Sequence, residues 1–309
     1  MTLKRVSVRE VGLRDGLQMV KDDLPTELKL EWIADAAAAG VQVIEVTSFV
    51  PHKTFPIFAD AAQVARAAMS TPGLVPSALV LNVRGAKDAI DSGLTCINYV
   101  LSASEARSNA NARRSTGEAV EEFDRIVALR DTVASVATVS LSCCIATAFG
   151  CSLQEVVEEE RVIALAVALS MAGASEIMLA DTVGRATPGQ VERLFAALRE
   201  RLPTLQLSAH FHDTGGLGLA NVEAALRVGI RRFDASLGGL GGCPYAPGTT
   251  GNVNFEDAVL LLEADGFDTG IDLDRTVALR RKVESWLPRE TFPGVTARAG
   301  FPKSSALRC

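Results

Sequence analysis

The chain has 309 residues, nearly half of them hydrophobic, few aromatic, and a formal net charge of -6. That acidic balance, with no cluster of Lys and Arg, excludes a nucleic-acid phosphate backbone as partner, and no apolar run reaches the ~18 residues a membrane span needs. Six cysteines without regular spacing or a CxxC pair, behind an opening "MTLKRVSVRE" with no apolar leader, point to free thiols in a reducing cytoplasm and to no structural zinc.

In chain order, short β-branched runs alternate with Ala- and Leu-rich amphipathic segments, the pattern of βα units around a parallel sheet. The predicted strands are "RVSVREVGL", "VQVIEVTSF", "VPSALVLN", "CINYVLS", "ATVSLSCCIA", "SEIMLAD", "LQLSAHFHD" and "RRFDASLGG". Between the first two lies "TELKLEWIADAAAAG", with Thr26 expected as N-cap and Gly40 as stop. "TGEAVEEFDRIVALRDTV" follows the fourth, and "TPGQVERLFAALRERLP", capped by Thr187 ahead of Pro188, follows the sixth. Eight such units in about 250 residues, with no GxGxxG turn, predict a closed (β/α)8 TIM barrel rather than an open doubly wound sheet. The barrel is expected over residues 1–270. Residues 271–309 then add a helix, "DLDRTVALRRKVESWL", and a Pro/Gly/Arg-rich end, expected on or near the barrel.

In such a barrel the chemistry gathers where the strands end. Two of the three histidines, His210 and His212, share a face of the seventh strand because side chains alternate. Arg14 and Asp15 sit at the lip of the first strand and Glu45 lies within the second. Asp181 ends the sixth, and the glycine-rich stretch after the eighth holds Cys243 and Asn252. A carboxylate, two imidazoles and an amide oxygen suit an octahedral divalent ion such as Mg²⁺ or Mn²⁺. Each residue also has a plainer role open to it. A strand histidine can be a hydrogen-bonded core residue, Glu45 and Asp181 can bind backbone amides or an Arg, and Cys243 can be an inert thiol.

"EVGLRDGLQ", "VIEVTSFVPHK", "HFHDTGGLGLAN" and "GLGGCPYAPGTTGN", in this order, resemble the 3-hydroxy-3-methylglutaryl-CoA lyase family. The likeness runs from about Val6 to the helix near Leu262. It implies a divalent metal held by Asp15, His210, His212 and Asn252, with Arg14 stabilising a thioester enolate oxygen. It further implies that Glu45 and Asp181 support proton transfer near the metal, that Gln18 and Lys21 belong to the substrate motif, and that Cys243 is the loop cysteine. The implied activity is a retro-Claisen cleavage of an acyl-CoA to acetyl-CoA and a keto acid such as acetoacetate. There the metal acidifies a tertiary hydroxyl, and His210 or one of the two carboxylates takes its proton. Leucine breakdown and a homo-oligomer, dimer or tetramer, are the accompanying expectations.

Two stretches depart from the family pattern: "GCSLQE" stands where "GCPYEG" is usual, and "HDTGGLGLAN" where "HDTYGQALAN" is common. Loss of a tyrosine is expected to open the acyl pocket, which keeps a lyase for a different 3-hydroxy-3-alkyl acyl-CoA as an alternative. A Claisen synthase would call for an accessory domain, for which too few residues follow Gly266, and a non-enzymatic barrel would have little use for the full polar set. Lys53, Arg107, Arg113 and Arg114 are candidates for the CoA phosphates, or else ordinary surface charge.

Overall fold

The computed structural model describes residues 4–132, 139–154, 156–242 and 251–300. Eight parallel strands close into a barrel: β1 (Ser7–Glu10), β2 (Val43–Phe49), β3 (Val75–Val80), β4 (Cys96–Ser102), β5 (Ser140–Ala146), β6 (Glu176–Asp181), β7 (Gln206–Phe211) and β8 (Arg232–Ala235). Each pairs with the next, and β8 returns to β1 in the register Ser7↔Arg232 to Glu10↔Ala235. Around them run α1 (Thr26–Ala38), α2 (Ala61–Met69), α3 (Val83–Asp91), α4 (Glu105–Ala112), α5 (Thr116–Thr132), α6 (Glu159–Ala172), α7 (Pro188–Arg201), α8 (Gly218–Arg227) and α9 (Phe255–Ala264).

The main core fills the shell between strands and helices, with Ile44, Val46, Ala78, Val80, Ile97 and Tyr99 among the strand residues it buries. Because side chains alternate, the residues between them face the lumen. There Cys144, Met178 and Ala180, with Val100 against them, form a small separate apolar cluster. Much of the lumen is polar, and Arg9, Glu45, Asn98, Glu176, Ser208, His210 and Asp234 are all buried. Buried charges of this kind must be paired or bind an ion.

Helix ends follow the sequence with one correction. Thr187 caps α7 in a reciprocal box with Gln190. Gly40 stops α1 at φ +90°, pressed so close to the Gly270 carbonyl that a Cβ would collide with it. Thr26, however, is not the cap of α1. Extended Pro25 occupies that position, so Thr26 enters the helix and its hydroxyl donates instead to Asp60 Oδ2 at 2.8 Å.

Beyond the barrel, Phe267–Asp268 pairs in parallel with Lys4–Arg5. Helix α10 (Leu273–Trp286) then packs on α1, with Lys282 Nζ 2.8 Å from Glu31 and 2.6 Å from Asp35. The chain turns back toward the strand ends. Buried Arg280 donates to the Phe292 carbonyl at 2.8 Å, Asn254 Nδ2 to that of Pro293 at 3.0 Å, and Val295 and Thr296 amides to Asp257 at 3.0 and 2.9 Å. The tail thus braces the segment on which Asn252 stands.

Candidate active site

Strand β1 stops at Glu10, and the next residues coil into a tight turn instead of continuing the strand. The Val11 carbonyl accepts from the amides of Arg14, Asp15 and Gly16 at 3.1, 2.7 and 3.2 Å. Glu10 Oε1 fastens this turn to the end of β8 by accepting from Gly12 N at 2.6 Å and Leu237 N at 3.1 Å. Burial pushes the Glu10 carboxyl up to about 7 against the pull of those amides, with Glu256 adding to the rise.

The turn delivers Asp15 to the two imidazoles. Asp15 Oδ2 lies 3.3 Å from His212 Nε2 and 3.7 Å from His210 Nε2, and the two ring nitrogens are 3.2 Å apart. His212 lies one residue past β7 and is held by a bridge to Asn252, whose Nδ2 donates to Asp15 Oδ2 at 2.8 Å. Among the described residues, these three side chains are the group whose donor atoms converge closely enough to hold a metal ion. Asn252 Oδ1 is buried beside them with no hydrogen-bond partner. A carboxylate, two imidazoles and an orphaned amide oxygen brought together in one buried spot are a donor set that a divalent ion takes, so the residues fit one. Burial tends to raise the Asp15 carboxyl, but the Arg14 guanidinium and the hydrogen bond with His212 hold it well below the ordinary carboxylate range, keeping it anionic.

Buried Arg14 bridges two carboxylates, pairing through Nε with Glu45 and through NH1 with Asp15. Glu45 also accepts from Asn98 Nδ2 at 2.9 Å. Asp181 behaves differently: its oxygens accept from the amides of Arg185 and Ala186 at 3.1 and 2.8 Å, outside the convergent triad. Burial raises its carboxyl, and those amides limit the rise.

The triad opens on a cavity of about 210 Å³ whose wall also includes Arg14, Gln18, Leu81, Tyr99 and Gly242. Lys21 is exposed and lies outside this wall. Cys243 lies outside the described residues. Among the described residues, the positions at which the two stretches depart are not in this wall. Gly215 and Leu217 are exposed on the rim, while Ser152 and Gln154 hold the start of α4 through Arg107 NH2 at 2.7 Å and Ser104 Oγ at 3.0 Å. Arg114 is engaged with the Leu81 carbonyl at 3.1 Å, and Lys53 lies on a separate surface cavity.

Sequence reading missed Asp234 and Arg9. Asp234 Oδ2 lies 3.1 Å from His210 Nδ1, and Oδ1 accepts from Arg9 Nε at 2.7 Å. Burial would raise the Asp234 carboxyl, but Arg9 and His210 bring it below its usual value. The available signal was a charged residue at a lumen-facing position of a mostly buried strand, "VSVRE" and "RRFDAS".

A barrel with a carboxylate–imidazole cluster at its strand ends, an arginine beside it and an adjoining cavity defines an α/β-barrel protein with a candidate metal site. The chain belongs to the HMGL-like family, whose model matches residues 5–283. It is 40% identical to hydroxymethylglutaryl-CoA lyase YngG of Bacillus subtilis over 91% of this chain and 93% of that one. It is 39% identical to the (R)-citramalyl-CoA lyase of Chloroflexus aurantiacus over 96% of each. A solved HMG-CoA lyase from Acinetobacter baumannii, in complex with coenzyme A and 3-methylmalate, superposes with a TM-score of 0.90 at 37% identity, covering 97% of this chain and 96% of the other.

Proposed function

We propose that the protein cleaves 3-hydroxy-3-methylglutaryl-CoA to acetyl-CoA and acetoacetate. The observation that carries this is the convergence of Asp15, His210 and His212 beside Arg14 on one cavity, in a chain whose relatives are lyases of this kind. A divalent ion, Mg²⁺ or Mn²⁺, held by Asp15, His210, His212 and Asn252 would supply the positive charge that makes the tertiary hydroxyl acidic. Glu45 is held by Arg14 and Asn98, and Asp181 by backbone amides. Because a bound ion takes His210 Nε2 while Nδ1 faces Asp234, we assign the hydroxyl proton to one of these two carboxylates, whose oxygens keep a free lone pair beside those bonds. The bond between C2 and C3 then breaks, leaving the ketone and the enolate of acetyl-CoA. Arg14, already buried and permanently charged, needs no rearrangement to stabilise the enolate oxygen. Gln18, in the cavity wall, is assigned to substrate contact. Cys243 is assigned, on the family resemblance, to returning a proton to the enolate.

The citramalyl-CoA lyase relative, matched over the same span at nearly the same identity, supports a second reading in which the keto product is pyruvate. Purified protein with Mg²⁺ should be given both thioesters and longer 3-alkyl homologues, with acetyl-CoA assayed and the keto acid identified by mass spectrometry. Acetoacetate supports the first reading, pyruvate alone the second, and no acetyl-CoA from any thioester removes both. Free thiols at Cys96, Cys143, Cys144 and Cys151 accord with a cytoplasmic setting, and among the described residues no helix is long and apolar enough to cross a membrane. A role in leucine breakdown and assembly as a dimer or tetramer rest on the family resemblance.

A further inference from the structure

His210 is held at both ends of its ring. Nδ1 meets Asp234 Oδ2 at 3.1 Å, while Nε2 faces His212 Nε2 at 3.2 Å and Asp15 Oδ2 at 3.7 Å. Behind Asp234 the polar column continues down the lumen. Arg9 Nε donates to Asp234 Oδ1 at 2.7 Å, and Arg9 NH2 lies 3.5 Å from Glu176, which also accepts from Ser208 Oγ at 2.6 Å and Arg232 NH1 at 2.7 Å. We infer that Asp234, locked by Arg9, is a positioning residue that sets the tautomer of His210. The inference rests on the reading of the triad as a metal site.

A carboxylate can only accept, so the shared proton belongs on Nδ1 and the lone pair of the neutral ring is left on Nε2. That bare Nε2 is what a metal ion requires. Arg9 makes the choice rigid. Its Nε–H can only donate, so it always claims one acceptor from residue 234. In Asp234→Asn the single amide oxygen goes to Arg9 and the NH₂ turns to His210 Nδ1. That drives the ring proton onto Nε2 and blocks its lone pair, as a carboxylate-to-amide change does in hydrolase triads. Removing the guanidinium as well, in Arg9→Met with Asp234→Asn, frees the amide to flip and offer its oxygen to Nδ1. Glu176 keeps Ser208 and Arg232 in that variant. The second substitution is therefore expected to repair the first, whereas a merely structural network would be weakest with both partners gone.

The chain has only three histidines, and His52 is exposed, so long-range ¹H–¹⁵N spectra of the metal-free protein, assigned with His52→Gln, report the His210 tautomer directly. The parent is expected to show a protonated Nδ1 and a bare Nε2, Asp234→Asn the reverse, and the double variant a return to the parent pattern. Mn²⁺ affinity, read from the electron paramagnetic resonance of free ion, should fall about 10–100-fold in Asp234→Asn and recover in the double variant. A parent protonated at Nε2, an unchanged affinity in Asp234→Asn, or a double variant weaker than the single one overturns the inference. Should Asp234→Asn alone fail to fold, the parent spectrum and the double variant still decide. If the parent binds no Mn²⁺, the metal-site reading fails, while the spectra still judge Asp234.

Discussion

Asn252 donates to Asp15 Oδ2 at 2.8 Å across 237 residues of chain, and the same asparagine bridges to His212. One amide thus ties the turn after β1 to the end of β7, placing a carboxylate and two imidazoles in one pocket before any ligand arrives. An ion held there engages only the folded chain.

Binding of that ion should therefore stabilise the fold. At a hundred times its dissociation constant, Mn²⁺ is expected to add about 2.7 kcal/mol to the unfolding free energy, and chelation should remove both this gain and the activity reversibly. Thermal melts with and without chelator measure it. Asp15→Asn or His212→Ala should melt at one temperature in either buffer; an ion-dependent shift that survives in these variants would point to a different site.

Arg14 satisfies Glu45 and Asp15 from separate nitrogens of one planar group. A single ammonium cannot reproduce that fork. Arg14→Lys is expected to lower kcat by about 10²–10³-fold while Mn²⁺ still binds with a stoichiometry of one. Steady-state kinetics beside ion titration checks this, and parent-like turnover would remove Arg14 from the chemistry.

Gly12 begins the turn that carries both residues. A Cβ there would collide with Glu10 Oε1 and lie 2.7 Å from Cζ2 of the fully buried Trp32. Gly12→Ala should cost roughly 1–3 kcal/mol by overpacking, together with a loss of turnover, because relief of the clash displaces Asp15. Denaturant unfolding and kcat on the same sample separate the two effects.

The buried acids Glu10 and Glu256, both pushed up to about 7 chiefly by burial, give stability a sign with pH. In the unfolded chain each titrates near 4.5, so between those values the native state binds more protons and stability falls as pH rises. One such group lowers stability by on the order of 3 kcal/mol across that window. Glu10→Gln keeps an oxygen for the Gly12 and Leu237 amides but does not ionise. Its stability should decline with roughly half the parent's slope between pH 5 and 7, as urea melts at fixed pH would show; equal slopes would sink the assignment.

Local patterning was enough to reveal the alternation of eight strands with helices, and with it the barrel, because periodicity is local and hydrophobic faces must be buried wherever they arise. It also exposed the His210 and His212 pair, since two imidazoles on one strand face are conspicuous without a partner in view. The helix cap was one residue out at Thr26 because Pro25 took the extended position. The partners of those side chains were settled only when the barrel closed. Register across the lumen set Asp234 behind His210 and Arg9 behind Asp234, left Asp181 to backbone amides, and turned Gly215 to the rim. Such pairings join strands far apart in the chain, and the closing geometry that selects them leaves no mark on any single stretch of residues.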